Sequence, residues 1–243
     1  MKIVIFADSL ALPREEEAGN VPYENTYPYL LDQSLRELYG KRSPIVHERG
    51  ERRRSIKDVL LDWQEQVDRR KADIVIIQVG IVDCAPRVFL PGERKIMSLV
   101  RPSELRETIL NHVRKNRRRI ISMRPNRVYV PIDLFEQCVD KIVYRGYKSG
   151  LHSLIFINII SPSDTLEYRS PGFQKNVNHY NLRLEQRVLG NKMVKLIDFN
   201  ELIRQHGGTE LLTVEGMHPN STGHALLAQS LSDTIIKFID TKI

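Results

Sequence analysis

A serine near the amino terminus and an acid-histidine pair near the carboxyl terminus are the residues best suited to chemistry. Ser9 follows the apolar run Ile3–Phe6 and an Ala-Asp pair, and Glu215 and His218 stand three residues apart. A hydroxyl, an imidazole and a carboxylate are the parts of a nucleophilic acyl-transfer site. The pattern therefore predicts that Ser9 attacks a carbonyl carbon, His218 moves the proton and Glu215 orients the imidazole.

These residues also have ordinary structural interpretations. An Asp-Ser pair after a strand commonly forms a turn or caps a helix, because both side chains bond nearby backbone N–H groups. A histidine followed by Pro-Asn, as His218 is, commonly lies in a solvated loop. The occurrence of the two segments together favours the functional interpretation.

Four short blocks, in this order, resemble those of the SGNH (GDSL-type) hydrolase superfamily. The family's Gly-Asp-Ser block after the first strand is matched by Ala7-Asp8-Ser9, and its final Asp-x-x-His-Pro block by Glu215-Gly216-Met217-His218-Pro219. A glycine after the second strand is matched by Gly50, and the Gly-x-Asn-Asp block after the third by Gly80-Ile81-Val82-Asp83. The resemblance spans nearly the whole chain and implies a flavodoxin-like sandwich with a serine nucleophile.

Two positions depart from the family pattern. Val82 stands where the family has an asparagine that donates to the oxyanion, and a valine side chain donates nothing. Loss of one such donor costs on the order of 100- to 1000-fold in turnover. Either another group compensates, or the enzyme is slow, or the site no longer hydrolyses esters. Glu215 in place of aspartate keeps the carboxylate on an arm longer by about 1.5 Å, and glutamate serves in Ser-His-acid sets on other folds.

The same blocks suggest oxyanion donors and substrate contacts. The Ser9 N–H can face the developing oxyanion, and Gly50, without a Cβ, can let a second N–H approach closely. Gly50 can equally be an ordinary turn glycine. The segment from Gly80 to Arg87 should border the pocket, which makes Arg87 and Asp83 the predicted substrate contacts. Arg87 would bind a carboxylate or phosphate, although an arginine in a loop is commonly only solvated.

Alternating apolar runs and amphipathic segments predict the elements that position these residues. Strands are predicted at Lys2–Phe6, Pro44–His47, Ile74–Val79, Leu154–Ile160 and Val194–Ile197. Helices are predicted at Thr26–Tyr39, Ser55–Arg69, Pro102–Arg118, Pro131–Tyr147, Gln174–Leu189 and Thr222–Ile239. Continuously apolar strands are typical of a parallel sheet covered on both faces. The prediction is a three-layer α/β/α sandwich with a mainly parallel five-stranded sheet, whose ligand site lies beyond the carboxyl ends of the strands.

Length and composition are typical of one globular domain. The chain has 243 residues, 41% of them hydrophobic, without a repeat or a linker-like segment, so a single domain over residues 1–243 is predicted. Its first apolar run is shorter than the roughly 7–15 residues of a signal-peptide core, and no stretch approaches the ~20 apolar residues of a membrane span. The sequence thus predicts a soluble, cytoplasmic protein with Cys84 and Cys138 as reduced structural thiols.

One stretch is strongly basic in a chain whose net charge is +7. Seven cations and no acid occur from Arg114 to Arg127, namely Arg114, Lys115, Arg117, Arg118, Arg119, Arg124 and Arg127. Such a stretch could bind an acidic glycan or anionic lipid, whereas nucleic acid is unlikely to be its partner without a recognised motif or interleaved aromatic residues. A solvated helix end explains it equally well. The acidic run Glu15-Glu16-Glu17 is predicted to lie in a mobile loop over the site.

The sequence favours an ester-processing enzyme that uses no cofactor. The histidines lack paired ligand spacing and no glycine-rich phosphate loop occurs, so neither a metal nor a nucleotide is predicted. The predicted activity is that of a serine esterase on ester groups, including O-acetyl groups, of a small or carbohydrate substrate. A carbohydrate O-acetyltransferase with the same nucleophile is one alternative. A weakly active or non-catalytic binding protein on a hydrolase scaffold is the other, favoured by Val82.

Overall fold

A five-stranded parallel sheet forms the centre of the structure, a computed structural model that describes residues 1–15, 20–124 and 126–240. The strands are β1 (Lys2–Ala7), β2 (Ile45–Gly50), β3 (Ile74–Gln78), β4 (Ser153–Ile157) and β5 (Val194–Ile197). They lie in the order β2-β1-β3-β4-β5, and every neighbouring pair is parallel. Residues of β1, β3 and β4 are almost entirely buried, as expected when helices cover both faces.

Helices connect the strands and cover both faces of the sheet. They are α1 (Tyr27–Tyr39), α2 (Ile56–Trp63), α3 (Ile81–Cys84), α4 (Pro91–Ser98), α5 (Ser103–Lys115), α6 (Arg117–Ser122), α7 (Ile132–Lys148), α8 (Asp164–Arg169), α9 (Phe173–Val188), α10 (Phe199–His206) and α11 (Ser221–Asp240). α1 packs against α11, whereas α7 packs against both α2 and α9. Right-handed crossovers place these two groups on opposite faces, because the chain reverses its direction across the sheet after β2. The predicted α/β/α sandwich is confirmed.

Several predicted helices have different limits in the structure. The segment predicted at Ser55–Arg69 is α-helical only to Trp63 and continues as a π-helix over Gln64–Asp68. The basic helix predicted to end at Arg118 breaks at Asn116, which separates α5 from α6. The short helices α4, α8 and α10 were not predicted, because six to eight residues give too few turns to establish a helical period.

The reversal of strand order creates a crevice between β1 and β3. In sheets of this order, ligands bind at such a switch point beyond the carboxyl ends of the strands. The chain leaves β1 at Asp8, whose N–H donates to the Gln78 carbonyl at the end of β3 over 3.1 Å. Ser9 therefore lies at the mouth of this crevice.

The two cysteines form no disulfide bond with each other. Cys84 and Cys138 are both free thiols and both buried. None of the helices in the described ranges is long and apolar enough to cross a membrane.

Candidate active site

Asp8 presents Ser9 at the start of a single 3-10 turn, Ser9–Ala11. One oxygen of the Asp8 carboxyl accepts the Leu10 N–H at 2.9 Å, so Asp8 is the cap of this turn. Burial raises the pKa of Asp8 to about 7. Within the described part of the chain, the Ser9 N–H donates to no acceptor. The turn therefore holds the hydroxyl at the rim and leaves a backbone donor beside it.

Ser9 and His218 meet although 209 residues separate them. Their Oγ and Nε2 atoms are 3.2 Å apart, within hydrogen-bond reach. His218 is held by a compact loop in which Thr213 N–H donates to the His218 carbonyl at 2.8 Å and Gly216 adopts a φ of +74°. A Cβ on Gly216 would lie 2.3 Å from Ser163 Cβ, so this position requires glycine. The loop thus fixes the imidazole against Ser9.

Glu215 contacts the other nitrogen of His218. Its Oε1 atom lies against His218 Nδ1, and the side chains of Glu215 and His218 are 42% and 4% exposed. The three predicted residues Ser9, His218 and Glu215 are therefore adjacent and in the order that serine acyl transfer requires. The longer arm of glutamate still reaches the imidazole.

Arg14 is a fourth member of this cluster that the sequence did not indicate. Its Nη1 atom donates to Glu215 Oε1 at 3.1 Å, and its Nη2 atom contacts His218 Nε2. Arginine only donates hydrogen bonds, so Nε2 must carry the lone pair and Nδ1 the proton. This is the tautomer in which the imidazole can accept the Ser9 proton. Arg14 also competes with Ser9 for that lone pair.

His218 is neutral in this arrangement. Burial lowers its pKa to about 3, and the charge of Arg14 acts in the same direction. The Glu215 carboxylate acts oppositely, because a neighbouring negative charge favours the imidazolium. A base with so low a pKa accepts a proton weakly at neutral pH.

Removing the Arg14 charge should make His218 a stronger base. In the wild type we expect kcat/KM for an ester to stay flat down to about pH 4, since His218 protonates only near its pKa of about 3. In Arg14→Met the pKa of His218 rises, so the loss of activity on acidification should begin at a higher pH. A pH-rate profile measures this, with Arg14→Lys as the charge-preserving control. An unmoved acid limb in Arg14→Met would show that Arg14 does not set the basicity of His218.

Gly50 is the last residue of β2 and lies beside the Ser9 segment. A Cβ on Gly50 would come within 2.8 Å of Leu12 Cδ2, so a larger residue here would displace the Leu12 side chain. Its φ is not in the left-handed region that favours glycine, and it belongs to the strand that leads into the next turn. Glu51 N–H, and not Gly50 N–H, donates to the Ala7 carbonyl. A role for Gly50 N–H as an oxyanion donor stays a prediction.

A cavity of about 280 Å³ opens beside Ser9, and Val82 and Arg87 line it. Val82 is 7% exposed and belongs to α3, whose N-cap Gly80 adopts a φ of +131°. Arg87 Nη2 donates to the Val82 carbonyl at 2.8 Å. Val82 thus lines the same cavity as Ser9, with an apolar side chain where the family pattern has a donor.

Asp83 does not reach the cavity, which argues against its predicted contact with substrate. Its side chain is fully buried, and both oxygens lie 3.2 Å from the Ile56 N–H at the start of α2. Burial raises its pKa to about 8, with the nearby Asp8 carboxyl adding to the effect. Asp83 therefore ties α3 to α2 beneath the site.

The basic stretch does not form one continuous face. Arg114 lies near Asn111 and Glu107, Arg127 pairs with Glu93, and Arg118 lies over the Tyr168 ring. Arg117 turns inward and lines the cavity beside Ser9. Binding of a macromolecular anion along the stretch stays a prediction, but only part of its charge is available for such a partner. Of the predicted acidic loop, Glu16 and Glu17 lie outside the described residues.

Three further arginines complete the cavity, and the sequence did not place them beside Ser9. They come from separate segments, Arg53 before α2, Arg117 in α6 and Arg169 at the end of α8. Nothing in their local sequence distinguishes them from solvated arginines. No group of three or more histidine, cysteine, aspartate or glutamate side chains in the described ranges could hold a metal ion.

Solved structures share this fold at low sequence identity. A lipase/acylhydrolase from Enterococcus faecalis superposes with a TM-score of 0.65 at 15% identity, covering 96% of this chain and 94% of that one. An α/β hydrolase from the metagenome of Lake Arreo, Spain, gives 0.63 at 18% identity, covering 95% and 92%. An acetylxylan esterase from Geobacillus stearothermophilus gives 0.60 at 16% identity, covering 95% and 91%. No curated protein sequence matches the chain.

The family model for GDSL-like lipase/acylhydrolase matches residues 20–231. This range covers most of the chain and includes Glu215 and His218, whereas Ser9 precedes it. The family match is therefore consistent with the fold that the chain shares with solved hydrolases. The chain belongs to the GDSL-like lipase/acylhydrolase family of ester hydrolases.

Proposed function

We propose that this protein is a serine esterase in which Ser9, His218 and Glu215 carry out acyl transfer from the ester of a small or carbohydrate substrate. The observation that carries the proposal is the distance of 3.2 Å between Ser9 Oγ and His218 Nε2, with Glu215 against Nδ1. The similarity of the fold to an acetylxylan esterase supports a carbohydrate ester as one substrate type.

The geometry supports a two-step reaction. Ser9 Oγ attacks the carbonyl carbon while His218 Nε2 takes the hydroxyl proton, and the ester C–O bond breaks as His218 returns that proton to the leaving alcohol. Water then attacks the acyl-serine, its proton passing to His218, and Ser9 recovers its proton as the acid leaves. Glu215 stabilises the imidazolium formed in each step. The Ser9 N–H, which donates to no acceptor among the described residues, is a backbone donor available to the oxyanion.

Covalent labelling tests the identity of the nucleophile directly. An alkyl fluorophosphonate should form one adduct per chain, and mass spectrometry of the digested protein should place it on Ser9. His218→Ala should label far more slowly, because the hydroxyl then lacks its base. Any of the other buried or exposed serines, such as Ser163, serves as an internal control. A folded wild-type protein that is unlabelled, or labelled elsewhere, would refute Ser9 as the nucleophile.

A further inference from the structure

The cavity beside Ser9 is unusually rich in positive charge. Four arginines line it, Arg53, Arg87, Arg117 and Arg169, and no aspartate or glutamate does. The remaining lining is apolar or weakly polar and includes Val82. A space of about 280 Å³ corresponds to roughly nine water molecules. A small group placed there would lie beside four arginine side chains.

Arg87 is held in place by neutral partners. Its Nη2 atom donates to the Val82 carbonyl at 2.8 Å, and its guanidinium lies 4.3 Å from the centre of the Tyr129 ring. Its Nε atom is buried without a hydrogen-bond partner in the described part of the chain. These contacts orient the side chain and leave its charge uncompensated.

Arg117 is held in a similar way. Its Nε and Nη2 atoms donate to Ser170 Oγ at 3.2 and 2.9 Å, and Nη2 also approaches the Pro86 carbonyl at 3.3 Å. Burial lowers its pKa, and the neighbouring charge of Arg169 adds to this effect. A guanidinium stays charged nonetheless. Two partly buried cations are thus fixed at the nucleophile at an electrostatic cost.

The charges of these four arginines are not neutralised by ion pairs within the described residues. Other arginines close by are paired: Arg54 bonds Asp62 at 2.7 Å, and Arg127 pairs with Glu93. Fixed cations without a counter-charge raise the local concentration of anions and bind carboxylate or phosphate through charge-assisted hydrogen bonds.

We propose that the substrate is an anionic ester, with a carboxylate or phosphate close to the scissile bond that Arg87 and Arg117 bind inside the cavity. Arg53 and Arg169, both exposed at the rim, attract this group and complete its surroundings. The proposal rests on the proposed esterase function and specifies that the ester is negatively charged. A neutral ester would leave the four cations without partners.

Matched esters that differ only in charge test the proposal. In the first pair, 4-acetoxybenzoate carries a negative charge on the alcohol side of the scissile ester, and its methyl ester is neutral. In the second pair, 4-nitrophenyl hydrogen adipate carries the charge on the acyl side, and its methyl ester is neutral. 4-Acetoxyphenyl phosphate extends the first series to phosphate. Intrinsic reactivity cancels when the anionic-to-neutral ratio of kcat/KM is compared between variants. We expect this ratio to fall by about 10- to 100-fold in Arg117→Met in at least one series.

Control variants separate local from general effects. Arg119→Met removes the same charge from an exposed position of α6 outside the cavity and should keep the wild-type ratio. If Arg117→Met does not fold, Arg169→Met, at an exposed position, replaces it and should lower the ratio in the same direction. An anionic-to-neutral ratio that neither substitution lowers would overturn the proposal.

A binding measurement distinguishes failure of this inference from failure of the esterase function. In Ser9→Ala, 4-acetoxybenzoate should raise the melting temperature more than its methyl ester, and Arg117→Met in that background should abolish the difference. If no ester is turned over but this difference is found, the esterase function fails and the anion site stands. If esters are turned over in a Ser9-dependent way without a charge preference in rate or binding, the anion site is wrong.

Discussion

Ser9→Ala should lower kcat/KM for p-nitrophenyl acetate by roughly 10⁴- to 10⁶-fold, the range found when the nucleophile of a serine triad is removed. The reason is structural: Ser9 Oγ is the hydroxyl within reach of His218 Nε2, and alanine leaves the imidazole no proton to accept. His218→Ala should have a similar effect. The double variant should be little worse than either single one, because the two residues act as a unit.

Glu215→Gln should cause an intermediate loss of activity. It preserves the size of the side chain but removes the charge that stabilises the imidazolium, so its loss of activity should be smaller than that of Ser9→Ala. Each variant should keep the far-ultraviolet circular dichroism of the wild type. Full activity in a folded Ser9→Ala variant would contradict the assignment, and so would simple addition of the two single effects in the double variant.

Val82→Asn should raise turnover of a simple ester by up to roughly 100-fold, which is what a single oxyanion donor can contribute. The wild-type side chain is 7% exposed and lines the same cavity as Ser9, so an amide introduced there would enter the space beside the hydroxyl. Val82→Leu is the matched control, since leucine is close to asparagine in size and shape and donates nothing. Turnover of p-nitrophenyl acetate by the three proteins gives the comparison.

The gain in Val82→Asn depends on where the new amide points. A crystal structure of the variant should show it directed at the Ser9 hydroxyl rather than at the Arg87 guanidinium, which already donates to the carbonyl of residue 82. An amide in that place with no gain in turnover would mean that the site already has its full set of donors, or that it is not built for acyl transfer.

The sequence predicted the sheet and the meeting of Ser9 with His218, because both depend on strong patterns. Five mainly apolar runs define the strands, and parallel strands bring the residues after their carboxyl ends to one rim. The same reasoning placed Asp83 in the site but could not show that its carboxyl turns inward to the Ile56 N–H. Which side of a short helix is buried depends on its neighbours, here α2.

The arginines were the residues that sequence reasoning could not place. Arg14 stands five residues after Ser9 with no motif around it, and its contact with His218 joins segments far apart in the sequence. Arg117 was one of seven cations in a basic stretch, and the structure places it directly after the break at Asn116, where it lines the cavity. The density of charge along the sequence predicts the position of neither arginine, because it does not say which way a side chain points in the fold.

The separation of Ser9 from His218 along the chain also affects how activity is acquired. A contact across 209 residues closes a loop that includes nearly the entire fold, and such non-local contacts form only after their large entropic cost has been met by other interactions. β1 and the Ser9 turn leave the ribosome before the loop that contains Glu215 and His218. A partly synthesised chain therefore holds a nucleophile without its base and cannot attack esters while its core is still exposed. During refolding, esterase activity should therefore return only when the α/β/α sandwich is complete, and later than the helical signal in circular dichroism.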